Sequence, residues 1–527
     1  MISSLHALAA FLLLASAGCL SVSVSGIGSA GGTTATSTGG TGTTSGISTG
    51  GCETSAQCAA GFFCDTLDAA CCSGLDAGGT IEVDSDRGDD ALACCGIGKT
   101  KPCRTITQAM RLIDSAQARD LTIHAAVSSD GGIWAWDGGE AYPIALGWGA
   151  ELSAPGVTFL VIEDAGLSTE IFDIGSYSAS DTVGYASLTG TPALPVVVDT
   201  NQTAVQVEGG THLYLANTVL RAVDGIHVQP LGRLTLGRDR TGSLAGTVVI
   251  GLTDPTGLFA GVGVDGISCF SDDAGNGCTI DDAALDGGSS VIIQNQRLAD
   301  IHAETGASIS LNSSPIIGVA PTPIGLWQCP SVEVEGFTGV TIPDLAAITL
   351  LGNSTMTFEN GTLQCVAVPV AGFWLEALPA GSPSLTIRNS VIQNTEIGIL
   401  AAGGSVTVAN SAIRFNGIGV AAGGDAGIDL SGGSFGGRNT IACNFAGPSS
   451  VRGSVFNFSS NSINASNVAW DAPGPNVFTC SDAGVFSCAQ ADCTAVGDAG
   501  VLMDAISGPP YAGIVTTGNT LSPLQCE

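Results

Sequence analysis

Cleaving a glycosidic bond takes two carboxyl groups about 5 to 9.5 Å apart, one acting as acid and the other as base or nucleophile. Adjacent aspartates stand at Asp272–Asp273 and Asp281–Asp282. Neighbours on a strand point to opposite faces, and the stretch from Ser271 to Ser289 is rich in Asp and Gly, so both pairs read as the coat of a solvated loop. The histidines beyond the N-terminal segment are His124, His212, His227 and His302, with no His-x3-His spacing; they read as satisfied surface or turn residues and not as metal ligands. A P-loop is missing from the sequence. Trp134-Ala-Trp136 places two indoles on one face of a strand, with Trp148 nearby. Aromatic faces suit sugar rings, so Trp134 and Trp136 form a candidate stacking platform; core packing is the alternative. No residue is assigned a catalytic or metal-binding role.

Whatever positions these groups must be built from a repeat. A phrase of the form apolar-any-apolar-any-Asn occurs as Leu213-Tyr-Leu-Ala-Asn217, Val291-Ile-Ile-Gln-Asn295, Met356-Thr-Phe-Glu-Asn360, Leu385-Thr-Ile-Arg-Asn389 and Val406-Thr-Val-Ala-Asn410. The last two copies lie 21 residues apart, and a window of the same length runs from Leu213 to Arg233. Alternation within each copy marks a strand with one buried face. Gly-Gly at 403–404 and 423–424 cuts each period into short pieces. Such strands survive only if each pairs with its equivalent in the next coil, about 4.8 Å away. The Asn then falls at a corner, where stacked side chains form a ladder. The gaps from Asn217 to Asn295 and from Asn295 to Asn360, 78 and 65 residues, are read as about three coils each, with loops between strands.

These features resemble the right-handed parallel β-helix family of pectate lyases, polygalacturonases and phage tailspikes. The expected architecture is an all-β, single-stranded, right-handed parallel β-helix, pectin-lyase-like, with an N-terminal capping helix and Cys-rich ends. The resemblance to lyases implies Ca²⁺ held by carboxylates beside an Arg base, but Asp272, Asp273 and Asp281 have no Arg until Arg297. The polygalacturonase Gly-His-Gly with Arg-Ile-Lys is absent, Gly225-Ile-His227 being the nearest fragment. No cofactor is assigned, Ca²⁺ being the one ion the resemblance leaves open. Upstream, Thr80-Ile-Glu-Val-Asp84, Gly88-Asp-Asp90 and Lys101-Pro-Cys-Arg-Thr-Ile-Thr-Gln-Ala-Met110 resemble an uncharacterised bacterial domain that opens many extracellular β-helices. Thr105 and Gln108 have capping-box spacing, and Ile106, Met110 and Ile113 line one helical face. A helix there shields the open end of the first coil. Cap and coils are expected to span 79–460, with the cap at 79–152 and a Cys-rich segment at 461–527.

Residues 7–18 are apolar or small and end in Ala15-Ser-Ala-Gly-Cys19, the length of a signal-peptide core and too short for a membrane span. Small residues before a Cys resemble a bacterial lipobox, which implies lipidation of Cys19 and a signal peptide at 1–19. The departures are Ser16, where Leu is usual, and an n-region with His6 but no Lys or Arg. Residues 20–51 are almost wholly Ser, Thr and Gly, a flexible linker of about 30 Å mean reach. Regularly spaced Cys52, Cys58, Cys64, Cys71 and Cys72 read as a disulfide module over 52–78, with Cys94, Cys95, Cys103, Cys269 and Cys278 as further disulfide candidates. Zinc is disfavoured, because that cluster holds no His and no Cys-x2-Cys.

Forty-seven acids against fifteen bases give a formal charge of −32, which disfavours nucleic acid and anionic headgroups as partners; no nucleic acid is expected. The expected protein is exported and held at the outer membrane or cell surface by its lipid. Its expected role is non-catalytic, structural or binding, toward polysaccharide or in adhesion; the alternative is a polysaccharide lyase or glycoside hydrolase. If Cys19 carries the lipid, the protein partitions into detergent and Cys19→Ala is released as soluble material; identical partitioning of the two would refute the anchor.

Overall fold

Alternation in the repeat translates directly into burial. In the strand Ser384–Arg388, Leu385 and Ile387 are buried and Thr386 between them is not. Each inward residue pairs with an inward residue one coil on, Leu385 with Val406 and Ile387 with Val408, so the core is a stack of apolar columns. A computed structural model shows this pattern propagated throughout. It describes residues 51–521 except 60–61, 66–67, 74, 76–77, 99, 128–132, 136–139, 162–169, 176, 179–180, 182–183, 252–264, 284–290, 295–298, 318–345, 365–370, 445–452, 471–476, 481–492, 496–504, 508–513 and 516–519. Three sheets of 14, 13 and 14 strands run its length among the described residues, each taking roughly every third strand of the chain; all pairs within them are parallel except Val477–Cys480 with Cys493–Ala495 at one end of the third. The chain visits the first sheet, then the second, then the third, and repeats. This is the right-handed parallel β-helix expected from the repeat, in the crossover hand that parallel connections overwhelmingly take.

One left-handed residue turns the chain from the first sheet into the second. Asn217, Asn360, Asn389 and Asn410 occupy that corner with φ of 51°, 56°, 51° and 48°, a conformation Asn tolerates better than most residues. The Asn410 side-chain amide donates to the Asn389 side-chain oxygen at 2.8 Å, a ladder step. The other corner amides reach elsewhere, Asn389 to Glu359 at 3.3 Å and Asn360 to the Asn312 carbonyl at 3.1 Å. A buried ladder lies at the next corner, where Asn416 donates to Asn444 at 3.0 Å. Two sequence expectations need correcting. Val291–Ile293 is a strand of the second sheet, so that copy of the phrase is out of frame, and its Asn295 lies outside the described residues. Between Asn217 and Asn360 the first sheet makes four coil steps, through Arg233–Leu236, Thr279–Asp282 and Ser308–Leu311, where six were expected. Long connections, at 251–264 and 318–345, account for the surplus residues.

The open end of the first coil is closed by helix α1, Ile106–Ala116, whose Ile106, Ala109, Met110, Leu112 and Ile113 are all buried. Thr105 caps it, its hydroxyl accepting from the Gln108 amide at 3.1 Å. The reciprocal half of the expected capping box is absent: the Gln108 side chain accepts from Arg111 at 2.9 Å, and Asp90 accepts the Thr105 N–H at 3.1 Å. Glu140 accepts the next two amides, of Ile106 and Thr107, which places its carboxylate at the positive end of the helix dipole. Disulfides join Cys52 to Cys64, Cys58 to Cys71, Cys72 to Cys94 and Cys95 to Cys103. The third of these ties the Cys-rich segment to the cap, reinforced by Arg111 on the buried Asp65 at 3.1 Å. Val408, fully buried in an inward column, tests the register. Val408→Asp should lower stability by on the order of 3 kcal/mol or more, read as a fall in melting temperature; near-wild-type melting would mean the side chain faces out.

Candidate functional site

On the third sheet two outward columns run side by side. One passes from Thr203 through Asp224 to Asp265 and Ala299 on successive coils. The other passes from Asp173 through Gln206, His227 and Ser268 to His302. They share a face because the intervening pairs, Gly225 with Gly266 and Gly266 with Asp300, are skipped in the ladder and turn inward. A Cβ on Gly266 would lie 2.5 Å from the Asp300 carbonyl oxygen, so the position is restricted to Gly.

The acids are held by the next coil. Asp224 Oδ1 accepts the Asp265 amide at 3.4 Å, and Asp265 Oδ1 accepts the Ala299 amide at 3.2 Å. Each uses its second oxygen on the neighbouring column: Asp224 meets His227 at 3.8 Å and Asp265 accepts from the Ser268 hydroxyl at 2.8 Å. Repeated placement one coil apart separates the two carboxyl groups by about 5 Å. Burial pushes Asp265 above the usual carboxylate range against the pull of His302 and Ser268, and the charge of Asp224 adds to the rise. Beneath them Asp300 is fully buried, with neither carboxylate oxygen hydrogen-bonded among the described residues. Its burial, and then Asp265, push it well above the usual range. Two coils before Asp224, Asp173 is pushed up to about 6 by burial, then by Glu208 and Glu170.

Toward the C-terminal end the same columns become apolar. Ala346, Ala371, Ile397 and Ile418 continue one, and Trp374, Leu400, Ala421 and Phe456 the other, as a second buried cluster. Among the described residues, titratable side chains in these columns are thus confined to the coils between Asp173 and His302, with Thr349 following as a last polar member.

The residues singled out by sequence fall elsewhere. Asp272 is committed to a turn, accepting the Ala274 and Asn276 amides at 3.0 and 2.8 Å, and the disulfide Cys269–Cys278 closes that turn. Asp281 and Asp282 are not in a loop but on the first-sheet strand Thr279–Asp282. Asp281 lies in the outward column of Thr235 and Ser310, while Asp282 accepts the Asn312 and Ser313 amides at 2.7 and 3.0 Å. Neither pair makes a site. Trp134 lies on the strand Ile133–Ala135, in register with Phe159; its side chain, Trp136, Cys19 and Arg297 lie outside the described residues. Trp148 is core, its indole N–H donating to Asp114 at 3.0 Å. His124 pairs with Glu82 at 2.8 Å on the surface. His227 and His302, expected in no site, stand on strands in the acid-lined columns. Two groupings of potential metal ligands occur among the described residues, Cys52 with Cys58 and Cys71, and Asp90 with Cys95 and Cys103. Their cysteines are all in disulfides and offer no thiolate.

No family model matches the chain, and no curated protein matches it. Two solved structures are similar to it. One is a periplasmic alginate epimerase, with TM-score 0.27 and 8% identity over 71% of this chain and 78% of that one. The other is a rhamnogalacturonan lyase, with TM-score 0.29 and 11% identity over 84% of this chain and 87% of that one.

A raised carboxyl pKa makes folding favour the protonated form, so Asp173 adds stability below pH 3.8 that is lost as pH climbs through about 6. Asp173→Asn should therefore be more stable than wild type at neutral pH, by about 1 kcal/mol after allowing for its partial exposure. The gap should close at about pH 4. Parallel melting curves across this range would contradict the shift.

Proposed function

We propose that the protein is an exported, surface-anchored enzyme that hydrolyses a polysaccharide on the outer face of the third sheet. The observation that carries this reading is the placement of Asp224 and Asp265 on adjacent coils, whose repeat of about 4.8 Å is close to the carboxyl spacing of retaining glycosidases. Asp265, its carboxyl shifted toward the protonated form by burial, gives its proton to the glycosidic oxygen as that bond breaks. Asp224 attacks the anomeric carbon from the neighbouring coil, and water activated by the ionised Asp265 then releases the sugar. His227 and Ser268 orient the two carboxyl groups through the contacts above.

Export and anchoring are supported by disulfides among the described residues, Cys52–Cys64, Cys58–Cys71, Cys72–Cys94, Cys95–Cys103 and Cys269–Cys278, which persist in oxidising compartments, and by the lipobox-like sequence before Cys19 with the linker behind it. Among the described residues no helix is long and apolar enough to cross a membrane. A second reading, polysaccharide binding without turnover, is favoured by one fact: both acids already accept a backbone N–H, a purely structural use.

Incubation with neutral and acidic polysaccharides separates the two. Hydrolysis generates new reducing ends without unsaturated products, and Asp265→Asn lowers the rate by about 100-fold or more while melting like wild type. Retention of polymer with no new ends would sink the hydrolase and leave the binder. Unsaturated ends would instead assign an elimination with His227 or His302 as base.

A further inference from the structure

Positive charge is scarce in this chain, 15 Lys and Arg in 527 residues, yet Arg233, Arg238 and Arg240 fall within eight residues and all are exposed. Register gathers them with aromatic rings on the first sheet, a different sheet from the acid columns. Tyr185, His212 and Arg233 form one outward column on three successive coils. Tyr214 lies beside it, its ring stacked on His212 at 4.1 Å. Arg240 returns over the Tyr185 ring at 4.9 Å and is held there by Asp120 at 3.2 Å, which also accepts the Tyr185 hydroxyl. The turn bearing Arg238 and Arg240 is fixed by buried Asp239, which accepts the Leu244 amide at 2.9 Å and the Thr241 and Ser243 hydroxyls. Arg233 and Arg238 form no ion pair among the described residues; on the next coil Asp281 stands two residues along the strand from Thr279, the register partner of Arg233. Burial, and then Arg233, push His212 down to about 4, so its ring is neutral and the aromatic platform carries no charge of its own.

We propose that this patch binds the carboxylates of an acidic, uronate-containing polysaccharide, at residues separate from the acid–histidine site. Guanidinium forks take carboxylates bidentately, and the adjoining aromatic rings suit the apolar face of a pyranose. A duplex nucleic acid, with one charge per 1.7 Å of axis, needs many phosphate contacts; three arginines on a chain of net charge −32 do not supply them. At physiological salt the field of these side chains extends only about 8 Å, so recognition is local and survives the acidic surroundings.

Affinity electrophoresis through polygalacturonate, dextran and polyphosphate tests this on the full chain. Polygalacturonate should retard the wild type, less so in about 0.5 M NaCl, and dextran should not. Arg233→Gln with Arg238→Gln should weaken retardation by about tenfold or more with unchanged melting, since both side chains are exposed. Asp265→Asn should be retarded like wild type, which separates this surface from the proposed hydrolytic site. Equal retardation of wild type and the double Gln variant, no retardation of the wild type, or equal retardation by polyphosphate would each overturn the proposal.

Discussion

Short parallel strands have no stability of their own; what holds each one is the backbone pairing to its equivalents in the coils before and after. That pairing fixes the axial repeat at about 4.8 Å and admits one register, because a slip by one residue would turn every buried column outward. Leu385, Ile387, Val406 and Val408 are inward for this reason, and so are their counterparts along three sheets. Corner geometry serves the same constraint. Asn389 and Asn410 turn the chain in the left-handed conformation and hydrogen-bond to each other, while Ser390 and Ser411 pass a similar contact through the Ser390 amide at 3.1 Å. The cap and its disulfides answer the one place where pairing stops, the exposed first coil.

Because coils stack in register, residues remote in the chain become neighbours at a fixed spacing. Asp224 and Asp265 are 41 residues apart yet in contact through a backbone amide. The fold therefore positions carboxyl groups through its backbone, which gives the rigidity a catalytic pair requires. The cost falls on Asp300, a buried acid without a partner that a purely structural interior would replace with a small apolar residue, as Ala347 does one coil on. Positive groups are segregated to another sheet, where Arg233 and Arg238 do not neutralise the acids.

The fold was legible where coils are short and uninterrupted. Leu385–Asn389 and Val406–Asn410 declare period, buried face and corner together. It blurred where connections lengthen: Val291–Ile293 imitates the phrase from a second-sheet strand, while the true first-sheet members Thr279–Asp282 and Ser308–Leu311 lack the Asn at the corner. The site was illegible for the same physical reason. Its acids are neighbours by register and not by sequence, and coil lengths vary, so that Asp224 pairs 41 residues ahead and Asp265 only 34. Gly225-Ile-His227 was the one visible trace, a tight inward Gly followed by an outward His. Adjacent aspartates drew attention because spacing is all a sequence displays; in the fold Asp272 and Asp282 hold backbone amides.

The central claim is that register, and not sequence distance, sets every neighbour in this molecule, and an inter-label distance measures that directly. Thr279 and Ser405 lie in one outward column, through Ser308, Thr355 and Ser384, four coils and 126 residues apart. Spin labels attached there through non-cysteine chemistry should give one narrow distance near about 19 Å, four repeats of the coil spacing. A broad distribution, or a distance beyond about 30 Å, would contradict the register and the adjacency of Asp224 and Asp265 derived from the same ladder.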